Sequence, residues 1–415
     1  MICVLINAYA CAPNKGSEPG MAWNWIIHLA KHCKLYVITE GEWNDDIEKA
    51  LQALPQGQNI KFYYNPLSDK IRKMCWNQGD WRFYYYYKQW QKKTFTIAQE
   101  IIKTNNIDAI HQLNMIGFRE PGYLWKLDKP FFWGPVDAKE TFPRAYLEGA
   151  SAKQRISIAV KNILTKFQLR YSSRVKKAAH KASVVFAASS ESKASFRKYY
   201  AIDAVLLNET GCKIVERSIP YNSGNVSLDM LWVGKADFRK QLSLAIKTLA
   251  KLNDIQVKLH IVGSGNVSGY KQLAQILNIE DKCIWYGVKS HAEVQMFMQK
   301  SDLLFFTSVA EGTPHVVLEA ISNSLPVVCF NCCGHGDSVN DMVGVKIPLS
   351  SPQNSINDFA EQIRYLYNNK EILQEKSNNC KNRQIELSWD NKAENMVIHY
   401  NFHVQKHLKK QKNLR

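Results

Sequence analysis

Short apolar runs alternate with longer amphipathic stretches along the whole chain, and polar residues gather at their ends. In the first half ICVLINAY (2–9), KLYVIT (34–39), NIKFYY (59–64), DAIH (108–111), PFFWGP (130–135) and SVVFAAS (183–189) read as strands. In the second half the strands are LDMLWVG (228–234), VKLHIVG (257–263), KCIWYG (282–287), DLLFFT (302–307) and PVVCF (326–330). Strands separated by helical segments predict an α/β protein, and two such blocks predict two doubly wound, Rossmann-like domains facing a deep cleft. The expected domains are 1–220 and 228–388, with the polar YNSGNVS (221–227) as linker. From about residue 354 the pattern is helical, and 389–415 is expected to cross back to the first domain as a helix.

One stretch departs from this pattern. SVAEGTPHVVLEA (308–320) carries Glu311 and Glu319 among apolar neighbours. DLLFFTS before it is a buried strand, and HVVLEAISNS after it is a helix, with Thr313 and Pro314 expected as its N-cap and first residue. Glu311 then sits at the carboxyl end of a strand, where open parallel sheets bind ligands. The N–H groups of Gly312 and Thr313 and the helix dipole would favour an anion such as a phosphate.

Two further loops have related chemistry. Gly16-Ser17-Glu18-Pro19-Gly20 lies between the first strand and the first helix, at the position where backbone approaches phosphate. It is not G-x-G-x-x-G, which weakens an oxidoreductase reading. The second block opens with LDMLWVGKADFRK, which puts Lys235, Arg239 and Lys240 beyond the end of its first strand. Three cations there suit a diphosphate.

Charge widens the picture. The 415 residues carry a formal net charge of +17, with pI near 9.3, which points to an anionic partner. No acidic residue stands between Glu148 and Glu191, and 153–181 combines nine cations with Ile156, Val160, Ile163 and Phe167 at helical spacing. It reads as a basic amphipathic helix suited to an anionic membrane surface, or as an ordinary helix with a core face. RKMCWNQGDWRFYYYYKQWQKK (72–93) is a second basic, aromatic stretch. No nucleic-acid recognition signature is present, so no nucleic-acid partner is expected. No run of eighteen apolar residues predicts a membrane span. The ten cysteines form no paired framework, which favours reduced thiols and a cytoplasmic setting. Cys329, Cys332, Cys333 and His335 lack a second matching pair for zinc. The chain has no Asp-x-Asp, the usual sign of a magnesium–diphosphate clamp, so neither metal nor other cofactor is expected.

Taken in order, these segments resemble the GT-B glycosyltransferases of family 4. The likeness runs through Gly-Ser-Glu-x-Gly (16–20), Ala-Ile-His (109–111), Phe-Trp-Gly-Pro (132–135), Asn-Glu-Thr-Gly (208–211), Val-Gly-Lys…Arg-Lys (233–240), Val-Gly-Ser-Gly (262–265), Glu-x7-Glu (311–319) and Ser-Trp-Asp (388–390). The resemblance implies transfer of a hexosyl-type sugar from a nucleotide-sugar with retention and without metal. The basic, aromatic N-terminal half is compatible with a glycan or lipid-linked acceptor in polysaccharide or lipopolysaccharide assembly, with the protein cytoplasmic and peripheral on the inner face of the plasma membrane. The resemblance also implies that Lys235 and Lys240 hold the donor diphosphate, with Arg239 beside them. Glu319 would bind the ribose and Glu311 the sugar. Gly312, Thr313 and Pro314 would contact sugar and phosphate, and Gly16 and Ser17 would close the site. Lys235 replaces the arginine of many relatives. His111 matches the first histidine of the family's His-x-His and Leu113 the second, so Asn114 and Arg119 join His111 as acceptor-side candidates. A sugar phosphorylase or nucleotide-sugar epimerase on the same fold, and a non-catalytic nucleotide-sugar-binding protein, are the alternatives.

Overall fold

The computed structural model describes residues 1–75, 81–219 and 226–413. Residues 221–225 of the predicted linker, and 76–80 of the aromatic stretch, lie outside the described residues. The chain divides into two compact units. The first comprises Met1–Glu140, Lys166–Thr210 and Trp389–Arg415, and the second Thr141–Thr165 and Gly211–Ser388.

The first unit is built on seven parallel strands: β1 (Ile2–Ala8), β2 (Cys33–Thr39), β3 (Ile60–Tyr64), β4 (Ala109–Asn114), β5 (Phe131–Val136), β6 (Val184–Ala187) and β7 (Val205–Leu206). Their order is β3-β2-β1-β4-β5-β6-β7. The second unit has six: β8 (Leu228–Val233), β9 (Val257–Val262), β10 (Cys283–Gly287), β11 (Leu303–Phe306), β12 (Val327–Phe330) and β13 (Gly344–Ile347). Their order is β10-β9-β8-β11-β12-β13, again all parallel. Each sheet therefore reverses its winding once, between β1 and β4 and between β8 and β11. Such a reversal opens a crevice at the carboxyl ends of the two strands.

The strands form where the apolar runs stand, because a parallel sheet covered by helices buries both faces of each strand. β11 and β12 are buried throughout, and so are β4 and β5. Two strands escaped the sequence reading. β7 has two residues and no alternation to read. β13 opens on a glycine and carries Lys346 in mid-strand, so its pattern is half polar.

The predicted domain limits need correction. The break falls at 210/211 rather than 220, and 141–165 belongs to the second unit. Tyr146 explains the latter: it is buried in the second unit's core, its hydroxyl is 2.8 Å from Ser355 Oγ, and its ring packs edge-on against Phe330. The expected single helix over 153–181 is two helices, Ala152–Tyr171 and Ser173–Lys181, broken at Ser172.

The last helix, Trp389–Asn413, is part of the first unit. Trp389, Ala393, Met396, Tyr400 and Val404 recur every three or four residues, which is one helix face, and pack among Val4, Ile6, Trp25 and Leu29. Each large side chain so buried contributes about 1.5–3 kcal/mol.

Candidate functional site

The loops after β8 and β11 are neighbours because their strands are paired. Side-chain hydrogen bonds then stitch them together. Thr307 Oγ1 donates to the Lys240 carbonyl at 2.8 Å, and Trp232 Nε1 donates to Thr307 Oγ1 at 3.1 Å. The Val309 amide donates to the Arg239 carbonyl at 3.0 Å. Asp237 caps the short turn Phe238–Lys240 by accepting from the Arg239 amide at 2.9 Å. Gln241 then takes a left-handed conformation (φ 52°) that turns the chain into the next helix.

This framework brings Lys240 and Glu311 together. Lys240 Nζ lies 2.6 Å from Glu311 Oε1, with side chains 16% and 21% exposed. The Ser308 hydroxyl donates to the same oxygen at 2.8 Å. The Lys240 ammonium also lies 5.2 Å from the centre of the Phe306 ring, which favours a cation there. Both groups are therefore oriented while remaining open to an incoming polar ligand.

The other two cations are less confined. Lys235 is exposed and makes no ion pair with a described residue. Arg239 folds back onto Asp237, with Nη2 2.7 Å from Oδ2. Burial opposes ionisation of Asp237, yet the guanidinium outweighs it and holds the carboxyl below its usual range. So Arg239 is paired first with Asp237, while the Glu311 charge also acts on it.

Gly312, Thr313 and Pro314 connect Glu311 to the helix His315–Ser322. The expected cap shifts by one residue: Pro314 is the N-cap, and no side chain caps the helix. Pro314 has no N–H, so it can shape the turn but cannot donate to a ligand. The Gly312 carbonyl accepts from Gly334 N–H at 3.1 Å, and a β-carbon on Gly334 would come within 2.4 Å of Thr313 Oγ1. This close approach fixes the turn. Glu319 lies on the helix, partly exposed, with His291 Nδ1 4.0 Å from its Oε1.

A cavity of about 670 Å³ is lined by Asp237, Phe238, Tyr270, Asn266 and Glu148 among others. Lys240, Glu311 and Glu319 do not line it, so it is separate from the paired groups. Cys332 Sγ and His335 Nε2 are 3.6 Å apart, but among the described residues no three metal-ligating side chains converge.

The first unit carries the remaining candidates. Gly16 is the N-cap of the helix Ser17–Leu29, and Ser17 has φ 55°. Both are exposed, and a β-carbon on Gly16 would meet open space. His111 needs correction. It is fully buried, with Nδ1 bonded to the Tyr400 hydroxyl and Nε2 to the Gly134 carbonyl. Burial lowers it to about 4, so it is a neutral core histidine that cannot reach an acceptor. Asn114 is also fully buried and donates to the Ala10 carbonyl at 2.7 Å. Its Oδ1 is buried without a hydrogen-bond partner among the described residues. Arg119 is partly exposed, with Nε 2.6 Å from Gln168 Oε1 and its guanidinium over the Phe118 ring. It is the acceptor-side candidate that retains access.

Sequence reasoning passed over Ser308, which orients Glu311 from three residues away, and Phe306, the ring beside Lys240. Both stand in the quoted strand, but their contacts depend on β8 lying alongside. Glu18 was also passed over. Its Oε1 accepts from Ile116 N–H at 3.2 Å while Oε2 is buried without a hydrogen-bond partner. Burial raises its carboxyl to about 7, against the Ile116 bond and helped by the charges of Glu209 and Asp137.

Residues 222–386 match the family model described as glycosyl transferases group 1. An uncharacterized glycosyltransferase of Methanocaldococcus jannaschii is 29% identical over 178 residues, 42% of this chain and 48% of that protein. The lipopolysaccharide 1,6-galactosyltransferase of Escherichia coli is 35% identical over 78 residues, 18% of this chain and 22% of that one. The matches thus span less than half the length of these curated relatives. Among solved structures, a lipopolysaccharide outer core galactosyltransferase superposes with TM-score 0.63 at 17% identity, over 96% of this chain and 99% of that one. An Anabaena protein solved with UDP superposes with TM-score 0.58 at 15% identity, over 96% and 98%. Such identities establish the fold alone. The chain has the GT-B fold, and residues 222–386, in its second unit, are similar to group 1 glycosyl transferases.

Proposed function

We propose that the protein is a retaining, metal-independent glycosyltransferase. It moves a hexosyl-type sugar from a nucleotide-sugar to a glycan or lipid-linked acceptor, on the cytoplasmic side of a membrane, in cell-surface polysaccharide or lipopolysaccharide assembly. The observation that carries the reading is the Lys240–Glu311 pair, held where β8 and β11 part. The family match over 222–386 supports it, as does the UDP bound by the similar Anabaena protein.

In this reading each group has one task. Lys240 and Lys235 neutralise the donor diphosphate, and the start of the helix at His315 faces the same phosphates with its positive end. Glu311, oriented by Lys240 and Ser308, accepts a hydroxyl of the donor sugar. Glu319 accepts from the ribose. Breaking the bond from the anomeric carbon to phosphate places negative charge on the departing nucleoside diphosphate and positive charge on the ring. Fixed cations stabilise the former, and such preorganised charge is often the largest contribution to rate. The acceptor oxygen forms its bond on the same face that the phosphate leaves, and the departing phosphate takes the acceptor's proton. Products are the extended acceptor and a nucleoside diphosphate.

The test begins with thermal shifts on a panel of nucleotides and nucleotide-sugars, since a cognate ligand raises the melting point by mass action. Turnover with the stabilising donor follows. Failure of every nucleotide-sugar to stabilise the protein overturns the proposal, and consumption of inorganic phosphate instead makes the enzyme a phosphorylase.

A further inference from the structure

The helix Ala152–Tyr171 has a buried side and, opposite it, an exposed apolar side. Asn162, Thr165 and Leu169 are buried, with Ile158 partly buried beside them, and Asn162 holds both the amide and the carbonyl of Phe142. At about 100° per residue these four residues form one side. Ile156, Val160, Ile163, Leu164, Phe167 and Tyr171 form the other, within an arc of about 100° and about 180° away from the first. All six are exposed, from 49% for Val160 to 66% for Ile156. The residues that the sequence allowed as a core face therefore point directly away from the core. A contiguous apolar stripe of this length on an exposed surface marks an interaction site.

Its surroundings indicate the partner. Lys161 borders the stripe on one side, and Lys166 and Arg170 on the other, each about 70–110° from its centre. Lys153 lies at its start, and the next helix adds exposed Lys176, Lys177 and Lys181. No carboxylate stands between Glu148 and Glu191 in the sequence, and Glu140 faces Lys166 alone of the three cations flanking the stripe. A second copy of the chain would bring these cations against each other. An anionic bilayer accepts both features: acyl chains take the stripe, and lipid phosphates take the flanking ammonium and guanidinium groups. The pairing of Phe167 with Tyr171, ring centres 4.9 Å apart, gives the stripe an aromatic end of the kind that settles at a lipid headgroup boundary.

We propose that the helix Ala152–Tyr171 docks on an anionic lipid bilayer through the stripe Ile156–Val160–Ile163–Leu164–Phe167–Tyr171, with Lys161, Lys166 and Arg170 at the phosphate level. This deepens the lipid-linked acceptor reading by naming the docking surface, but none of its residues serves the donor loops.

The test is co-sedimentation of the full chain with vesicles of phosphatidylcholine alone or mixed with phosphatidylglycerol, at low salt. Binding to the mixed vesicles is expected, with little to phosphatidylcholine alone. Ile163→Ser with Phe167→Ser should lower the partition at least about tenfold. Lys161→Glu with Arg170→Glu should do the same, while thermal melting stays unchanged in both pairs. Absence of binding to mixed vesicles overturns the inference. So does binding that both variant pairs retain, or a dimer in light scattering that the serine pair dissolves without any vesicle binding. Partition is read without turnover, so its failure is separate from failure of the transferase reading in the donor panel.

Discussion

Replacing Lys240 by Met separates catalysis from stability. Methionine keeps much of the length of the side chain and removes the charge. In the protein Lys240 Nζ and Glu311 Oε1 are 2.6 Å apart, with each side chain roughly a fifth exposed or less. At an effective dielectric of about 20 their gross attraction is about 6 kcal/mol, but desolvation of both ions offsets most of it. Glu311 keeps the Ser308 hydroxyl and its access to water after the change. The net cost to folding is therefore about 1 kcal/mol, or about 2–4 °C in melting temperature for a unit of this size. The cost to turnover is larger. Removing one fixed charge from a developing anion typically costs about 10²–10³ in rate, or about 2.7–4 kcal/mol. The assay is the initial rate of nucleoside diphosphate release at saturating donor, with a melting curve on the same preparation. Lys240→Arg should restore part of the rate because it restores the charge. A Lys240→Met enzyme within about threefold of the parent would refute the reasoning, as would a rate loss fully accounted for by unfolding.

Glu319→Gln should raise KM for the donor by roughly tenfold and leave kcat nearly unchanged, since a ribose contact is made equally before and during reaction. Gly263→Ala should destabilise the second unit by about 3 kcal/mol or more, read by denaturant melting. Gly263 has φ 147°, and a β-carbon there would sit 1.7 Å from the Gly234 carbonyl oxygen. Tyr400→Phe leaves His111 Nδ1 buried without its partner and should cost about 1–3 kcal/mol in chemical melting. Glu18→Gln tests a buried acid. Its carboxyl is raised to about 7 from an unfolded value near 4.5. Folding therefore carries the full penalty above pH 7 and sheds it as pH falls toward 4.5. The stability of Glu18→Gln relative to the parent should be greatest at pH 8 and shrink toward pH 5, and a difference that is flat with pH would contradict the assignment.

Strands with apolar residues on both faces, such as β1 and β11, were legible, whereas β7 and β13 were not. The pairing of Glu311 with a lysine was not legible. It depends on β8 and β11 being neighbours across a reversal in strand order, information no local window contains. The resemblance supplied Lys240 and Glu311 as site residues, whereas Ser308 and Phe306 acquire their roles only once those strands adjoin. His111 was misread for the opposite reason. A histidine at a strand end resembles a ligand-contacting group until the distant Tyr400 is seen against its ring. Ile163 and Phe167 fit a core helix by spacing, because periodicity gives the existence of an apolar face but not what lies against it.

The last helix has a consequence for how the chain is made. Val4, Ile6 and Trp25 emerge from the ribosome well before the side chains that cover them, from Trp389 to Val404, are translated. Residues 211–388 intervene, and at about 5–20 residues per second they take roughly ten to forty seconds to synthesise. Throughout that interval the nascent first unit shows an uncovered apolar face, while every segment of the second unit is made before residue 389. A premature stop near residue 388 would leave a chain whose later half is finished and whose earlier half is open to chaperones and proteases.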